Sequence, residues 1–198
     1  TIPINFQMKL SYIIEAIQPA YLYHAVSLSE FYDICKQLKI NPVSPYGGEE
    51  EAISLTRNKR LNYGETGYGR GEVMLVIDRT KLAHTTKIKP YNWFDSERGK
   101  KANLAPPEEL SNVPNELAQQ FKHKFETEER VYEPIPFHSG CIVEIIVDIH
   151  NINESLKIDN KKVTTREKMD IIQLYPSIED WLTQNDRKYG FKITWKKS

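Results

Sequence analysis

No apolar stretch in this chain outlasts one short strand. The longest, Cys141 to Ile149, is interrupted by Glu144 and Asp148, which suits a partly buried strand and falls far short of the roughly 20 residues of a membrane span. Other runs are as brief: Tyr21 through His24, Ala52 to Arg57, Glu72 to Asp78 with Val73, Leu75 and Ile77 facing one way, and a closing strand from Phe191 to Trp195. Helical spacing lies between them. Met8, Leu10, Ile13, Ile14 and Ile17 predict a leading helix within Thr1 to Gln18. Ser27-Leu28-Ser29-Glu30 has the form of a capping box, and Leu28, Phe31, Ile34, Cys35 and Leu38 share one helical face behind it. A short helix is expected at Thr80 to Leu82 and another from Asn115 to Phe125. After Ile149 a polar linker is expected through Lys162, followed by helical pieces at Thr165 to Leu174 and Ser177 to Leu182, split by Pro176. Strands mixed with helices, without regular alternation, predict an α+β fold rather than a doubly wound sheet.

At 198 residues the chain fits one domain, 1–198, with its core at about 19–150 and a C-terminal helical extension over 151–198. Its 27 basic residues balance its 27 acidic ones, unlike a protein that binds duplex nucleic acid through bulk charge. Basic clusters at Arg57 to Arg60, Lys87 to Lys89, Arg98 to Lys101 and Arg187 to Lys197 are local. Two cysteines, Cys35 and Cys141, make no disulfide framework, and no Cys/His spacing suits zinc, so no metal is expected. Buried thiols, and the lack of a basic start followed by a long apolar block, place the expectation in the cytoplasm, away from membranes.

Three short motifs stand in order. Leu22-Tyr23-His24-Ala25-Val26-Ser27 carries a histidine at the end of a strand. Ser54-Leu55-Thr56-Arg57 puts two hydroxyls on one side of a second strand and an arginine at its end. Glu126-Thr127-Glu128-Glu129-Arg130 stands ahead of the apolar run. Together they resemble the signature motifs of the ADP-ribosyltransferase superfamily, in its histidine-bearing branch. The chain departs from that pattern at Ala25, where glycine is usual, and at Val26, which sets the hydroxyl of Ser27 one residue late. Size and layout are similar to compact microbial or phage-type transferases, including toxin-like ones that modify nucleic acid.

The resemblance implies two small, mainly antiparallel sheets around an NAD cleft, with flanking helices. It implies NAD as co-substrate, cut at its nicotinamide–ribose bond, with ADP-ribose passed to a nucleic acid or a protein. His24, Ala25 and Ser27 would hold the nicotinamide side, Ser54 and Thr56 would brace the pocket, and Arg57 would meet the pyrophosphate. Glu128 would stabilise the charge developing on C1′ and Glu126 would assist the acceptor, since the two share a face of a strand; Glu129 takes the first role if the register differs by one. Tyr63 and Tyr68, in the Gly-rich stretch Asn62 to Gly71, would stack on nicotinamide or on an unpaired base. A toxin-like member also implies an antitoxin or inhibitor partner. The rival readings on the same fold are NAD hydrolysis, transfer of an RNA 2′-phosphate, and a catalytically silent binding module.

Overall fold

The computed structural model describes residues 20–44, 50–57, 71–91, 128–157 and 163–197. Within them the strands are β1 (Tyr21–Val26), β2 (Lys39–Ile40), β3 (Ile53–Leu55), β4 (Val73–Asp78), β5 (Ile88–Tyr91), β6 (Glu128–Val131), β7 (Ile135–Pro136), β8 (Ile142–Asp148) and β9 (Lys192–Lys196). The α-helices are α1 (Leu28–Gln37), α2 (Arg79–Thr85), α3 (Ile149–Leu156) and α4 (Thr165–Tyr189), and Phe137–Ser139 forms a 3-10 turn. The mixture is α+β, as the interleaved short runs predict.

Among the described residues there are three sheets. The largest has the order β1-β4-β8-β9, antiparallel except for the β8–β9 pair. A second has the order β3-β6-β5, all antiparallel, and β2 pairs with β7. Tyr23 and Thr56 join the two larger sheets: each backbone N–H donates to the other's carbonyl, at 2.8 and 2.9 Å. One face of the large sheet is apolar, with Leu22, Val26, Val73, Leu75, Ile77, Ile145 and Val147 all buried. Alternation along β4 places Val73, Leu75 and Ile77 on that face and Met74 and Val76 on the other, because successive side chains point to opposite sides.

Helix α1 forms where its stripe predicts, with Leu28, Phe31, Ile34 and Cys35 buried, but Leu38, expected on the same face, is instead the exposed left-handed residue that ends it. Ser27 is its N-cap, and its side-chain oxygen accepts from the Glu30 amide at 3.2 Å. Phe31 meets Trp181 of α4 edge-on, with 6.4 Å between ring centres. Trp181 in turn lies against Phe137 and Phe191, so the C-terminal residues close the same core.

Two expectations are corrected. The stretch after Ile149 is helical rather than a polar linker: Asp148 caps α3 by accepting from the Asn151 amide at 3.0 Å, and Ile152 and Ser155 are buried. Pro176 does not split α4, which runs unbroken with the proline inside it. Burial explains both: Ile152 and Ser155 are covered in α3, and Ile171, Ile178 and Leu182 form one stripe in α4 that continues past the proline. The expected leading helix, the helix over 115–125 and, apart from Gly71, the Gly-rich stretch lie outside the described residues. No described helix is long and apolar enough to cross a membrane.

Candidate active site

The first two motifs meet at the β1–β3 junction. His24 lies in β1 opposite Leu75, and its Nδ1 stands 2.9 Å from the backbone carbonyl oxygen of Ser54. A carbonyl only accepts, so Nδ1 carries the proton. In the neutral ring Nε2 is then left as an acceptor. Burial lowers the His24 pKa below its ordinary 6.5, against the opposing pulls of the Glu30 charge and the Ser54 bond. The histidine is therefore held neutral and in one tautomer, with Nε2 able to accept a hydrogen bond from a hydroxyl or an amide.

The second and third motifs meet one strand further on. Register places Ser54 opposite Arg130 and Leu55 opposite Glu129. Glu129 is thus a carboxylate on a face otherwise set by Ile53, Leu55 and Val131, and its side chain is 1% exposed. A buried carboxylate needs partners. Arg57, just past the end of β3, donates from Nε at 2.6 Å and also from Nη2 to Oε1. Arg79, the first residue of α2, donates from Nε to Oε2 at 3.1 Å. Each arginine is itself largely covered, at 16% and 18% exposure. One carboxylate oxygen is thus fixed by each guanidinium, and the plane of Glu129 is set from two elements.

The remaining expected residues fall as follows. Thr56 is buried at the sheet junction, where its backbone is engaged with Tyr23. Ala25 pairs with Met74 across the sheet, and Ser27 caps α1. Arg57 sits at the strand end, as expected, with Glu129 as its partner. Glu128 opens β6 opposite Tyr91. Glu126, Tyr63 and Tyr68 lie outside the described residues.

Two residues that sequence reasoning missed belong to this region. Arg79 could have been noticed as a second arginine directly after an apolar strand, the same placement as Arg57. Glu72 is 6% exposed just ahead of β4; an acid immediately before a buried strand, beside a glycine, was its signal. Among the described residues no group of His, Cys, Asp and Glu gathers as a metal site.

No family model and no curated protein matches the chain. Solved structures of DarT from Thermus sp. 2.9 are similar in shape. The one in complex with ADP-ribosylated ssDNA shares 13% identity at a TM-score of 0.49, over 90% of this chain and 94% of that one. The one in complex with NAD+ shares 12% at 0.48, over 90% and 96%. The complex with carba-NAD+ shares 13% at 0.45, over 91% and 96%. A likeness this distant decides nothing about chemistry, which has to come from this chain's own residues.

Proposed function

We propose that the chain is an NAD-dependent mono-ADP-ribosyltransferase, which cleaves the nicotinamide–ribose bond and passes ADP-ribose to a nucleic acid or a protein. One observation carries the reading. The three motifs, far apart in sequence, stand on the linked strands β1, β3 and β6, with a tautomer-fixed histidine at one end and an arginine-held carboxylate at the other.

Cleavage sends the bonding pair away with nicotinamide and leaves positive charge on C1′. A carboxylate fixed before the reaction stabilises that charge without having to reorganise. We assign this role to Glu129, whose surroundings hold a carboxylate from both sides. His24 Nε2 accepts a hydrogen bond from a ribose hydroxyl or the nicotinamide amide, and Ala25 offers its backbone beside it. Arg57 and Arg79 orient Glu129, and NAD's pyrophosphate gives a guanidinium a second anion to meet. Ser54 and Thr56 brace the junction between the sheets. In this scheme Glu126 and Glu128 relieve the incoming acceptor of its proton.

The test is incubation with NAD labelled on its adenylate phosphate, together with total protein, RNA and DNA. Label on one fraction supports transfer and names the acceptor class. Free labelled ADP-ribose favours hydrolysis, and untouched NAD overturns the reading. Glu128→Gln and Glu129→Gln run side by side decide which carboxylate is essential: the Glu129 variant is expected to lose at least ~100-fold, in line with removing a charge-stabilising group. Loss confined to the Glu128 variant would return the role to Glu128.

A further inference from the structure

The buried carboxylate of Glu72 has no part in the scheme above, yet it touches the same turn from behind. Its Oε2 accepts from the backbone amide of Leu28, the first residue of α1, at 3.0 Å. Its Oε1 accepts from the Ser155 hydroxyl of α3 at 3.1 Å, and Ser155 is itself fully buried. The Glu72 carbonyl accepts from the Asp148 amide at 2.8 Å. The preceding residue joins in: the Gly71 carbonyl accepts from the side-chain amide of Asn151 at 3.3 Å, and a Cβ placed on Gly71 would lie 2.8 Å from the Cβ of Ala25.

Helix starts leave backbone amides without helical partners. Ser27 meets one of them, the Glu30 amide, as an ordinary local cap. The Leu28 amide is met instead by a carboxylate 44 positions away, so the cap also ties α1 to β4. Its other oxygen ties the same point to α3. The β1–α1 junction, Val26 to Leu28, is thereby fixed against two elements at once, two residues after His24.

We infer that Glu72 is a positioning residue for the NAD site: it holds the junction between α1 and the end of β1, the strand that carries His24 and Ala25, against β4 and α3. The inference rests on the NAD reading above for its catalytic consequence, and on the contacts alone for the brace. Glu72→Gln keeps the size of the side chain and one acceptor oxygen, while removing the charge and one of the two acceptors. Ser155→Ala leaves Glu72 in place and removes one donor.

The experiment measures NAD cleavage by the full chain and both variants, with amide exchange at Leu28 followed in the same samples. Glu72→Gln is expected to raise KM for NAD about 10-fold while kcat stays within about 3-fold, the pattern of a misplaced binding surface. Ser155→Ala shifts KM in the same direction by less, and carries the test should the first variant not fold. Leu28 exchange is expected to quicken in Glu72→Gln while the β8 amides stay as protected as before. An unchanged KM, with only the melting temperature lowered, overturns the positioning role. Unchanged Leu28 exchange overturns the brace itself. Absence of NAD cleavage by the unaltered chain, with Leu28 exchange still quickened in the variant, overturns the NAD reading and leaves the brace standing.

Discussion

The Nδ1 of His24 lies 2.9 Å from the carbonyl oxygen of Ser54, and this one contact joins two motifs thirty positions apart while deciding which ring nitrogen carries the proton. It also makes a pH dependence follow. Burial lowers the folded-state pKa of His24 below 6.5. As pH falls below 6.5, the unfolded chain takes up a proton there before the folded chain does, so stability declines with acidification. Above that range His24 is neutral in both states and contributes no slope. Urea unfolding between pH 7.5 and 5 is expected to show a steeper acid loss in the unaltered chain than in His24→Gln. Equal slopes would mean that His24 is protonated alike in both states.

The clamp on Glu129 predicts a stability cost apart from any catalytic one. Glu129→Gln leaves Arg57 and Arg79 facing a neutral amide in a covered site. Losing one partner of a buried ion pair costs about 3 kcal/mol. Arg79→Met removes the more distant guanidinium and leaves Arg57 in place, so about 1 kcal/mol is expected. Denaturant midpoints at constant slope measure both. A Glu129→Gln loss below that of Arg79→Met would show that the carboxylate is not the centre of the cluster.

Gly71 and Ala25 make a reciprocal pair. A methyl group on Gly71 would sit 2.8 Å from the Ala25 methyl, closer than two carbon atoms can pack. Gly71→Ala is expected to destabilise by about 1–3 kcal/mol, as overpacking does. Ala25→Gly in the same chain takes away the opposing methyl and should restore most of the loss. A double-mutant cycle reads this coupling directly; additive effects would mean that the strand moves aside instead.

What could be read from the sequence was mostly local. The stripe Leu28, Phe31, Ile34, Cys35 behind Ser27 named its helix, and the alternation in Val73, Leu75 and Ile77 named its strand, because each pattern is complete within one element. The histidine, the hydroxyl strand and the glutamates could be named as motifs. Their joining could not, since it depends on the Tyr23–Thr56 bridge and the Leu55–Glu129 register, and pairing partners leave no trace in either strand alone. Arg79 and Glu72 were missed for the same reason. A charged residue beside a strand usually faces water, and only the tertiary neighbours show that these two do not. Helix α3 was hidden by its asparagines, which are poor helix formers alone; burial of Ile152 and Ser155 overrides them.

Pro176 shows the same override and can be tested on its own. A proline inside a helix removes one N–H and crowds the carbonyl four residues back. Here that carbonyl belongs to Ile172, whose residue is 57% exposed, so water can meet what the helix cannot. Helix α4 persists because Ile171, Ile178 and Leu182 are buried on either side of the proline, and Trp181 beyond it meets Phe31 of α1 and Phe137. Packing at both ends outweighs a penalty of about 3 kcal/mol in the middle. Part of that penalty is offset by the stiffness proline gives the unfolded chain. Pro176→Ala is therefore expected to stabilise the protein by about 1–2 kcal/mol, with the proposed activity unchanged, since the residue is exposed and forms none of the contacts of the site. Thermal unfolding of the two chains decides it: a melting temperature that falls would mean that the proline sets a bend on which the α1–α4 packing depends.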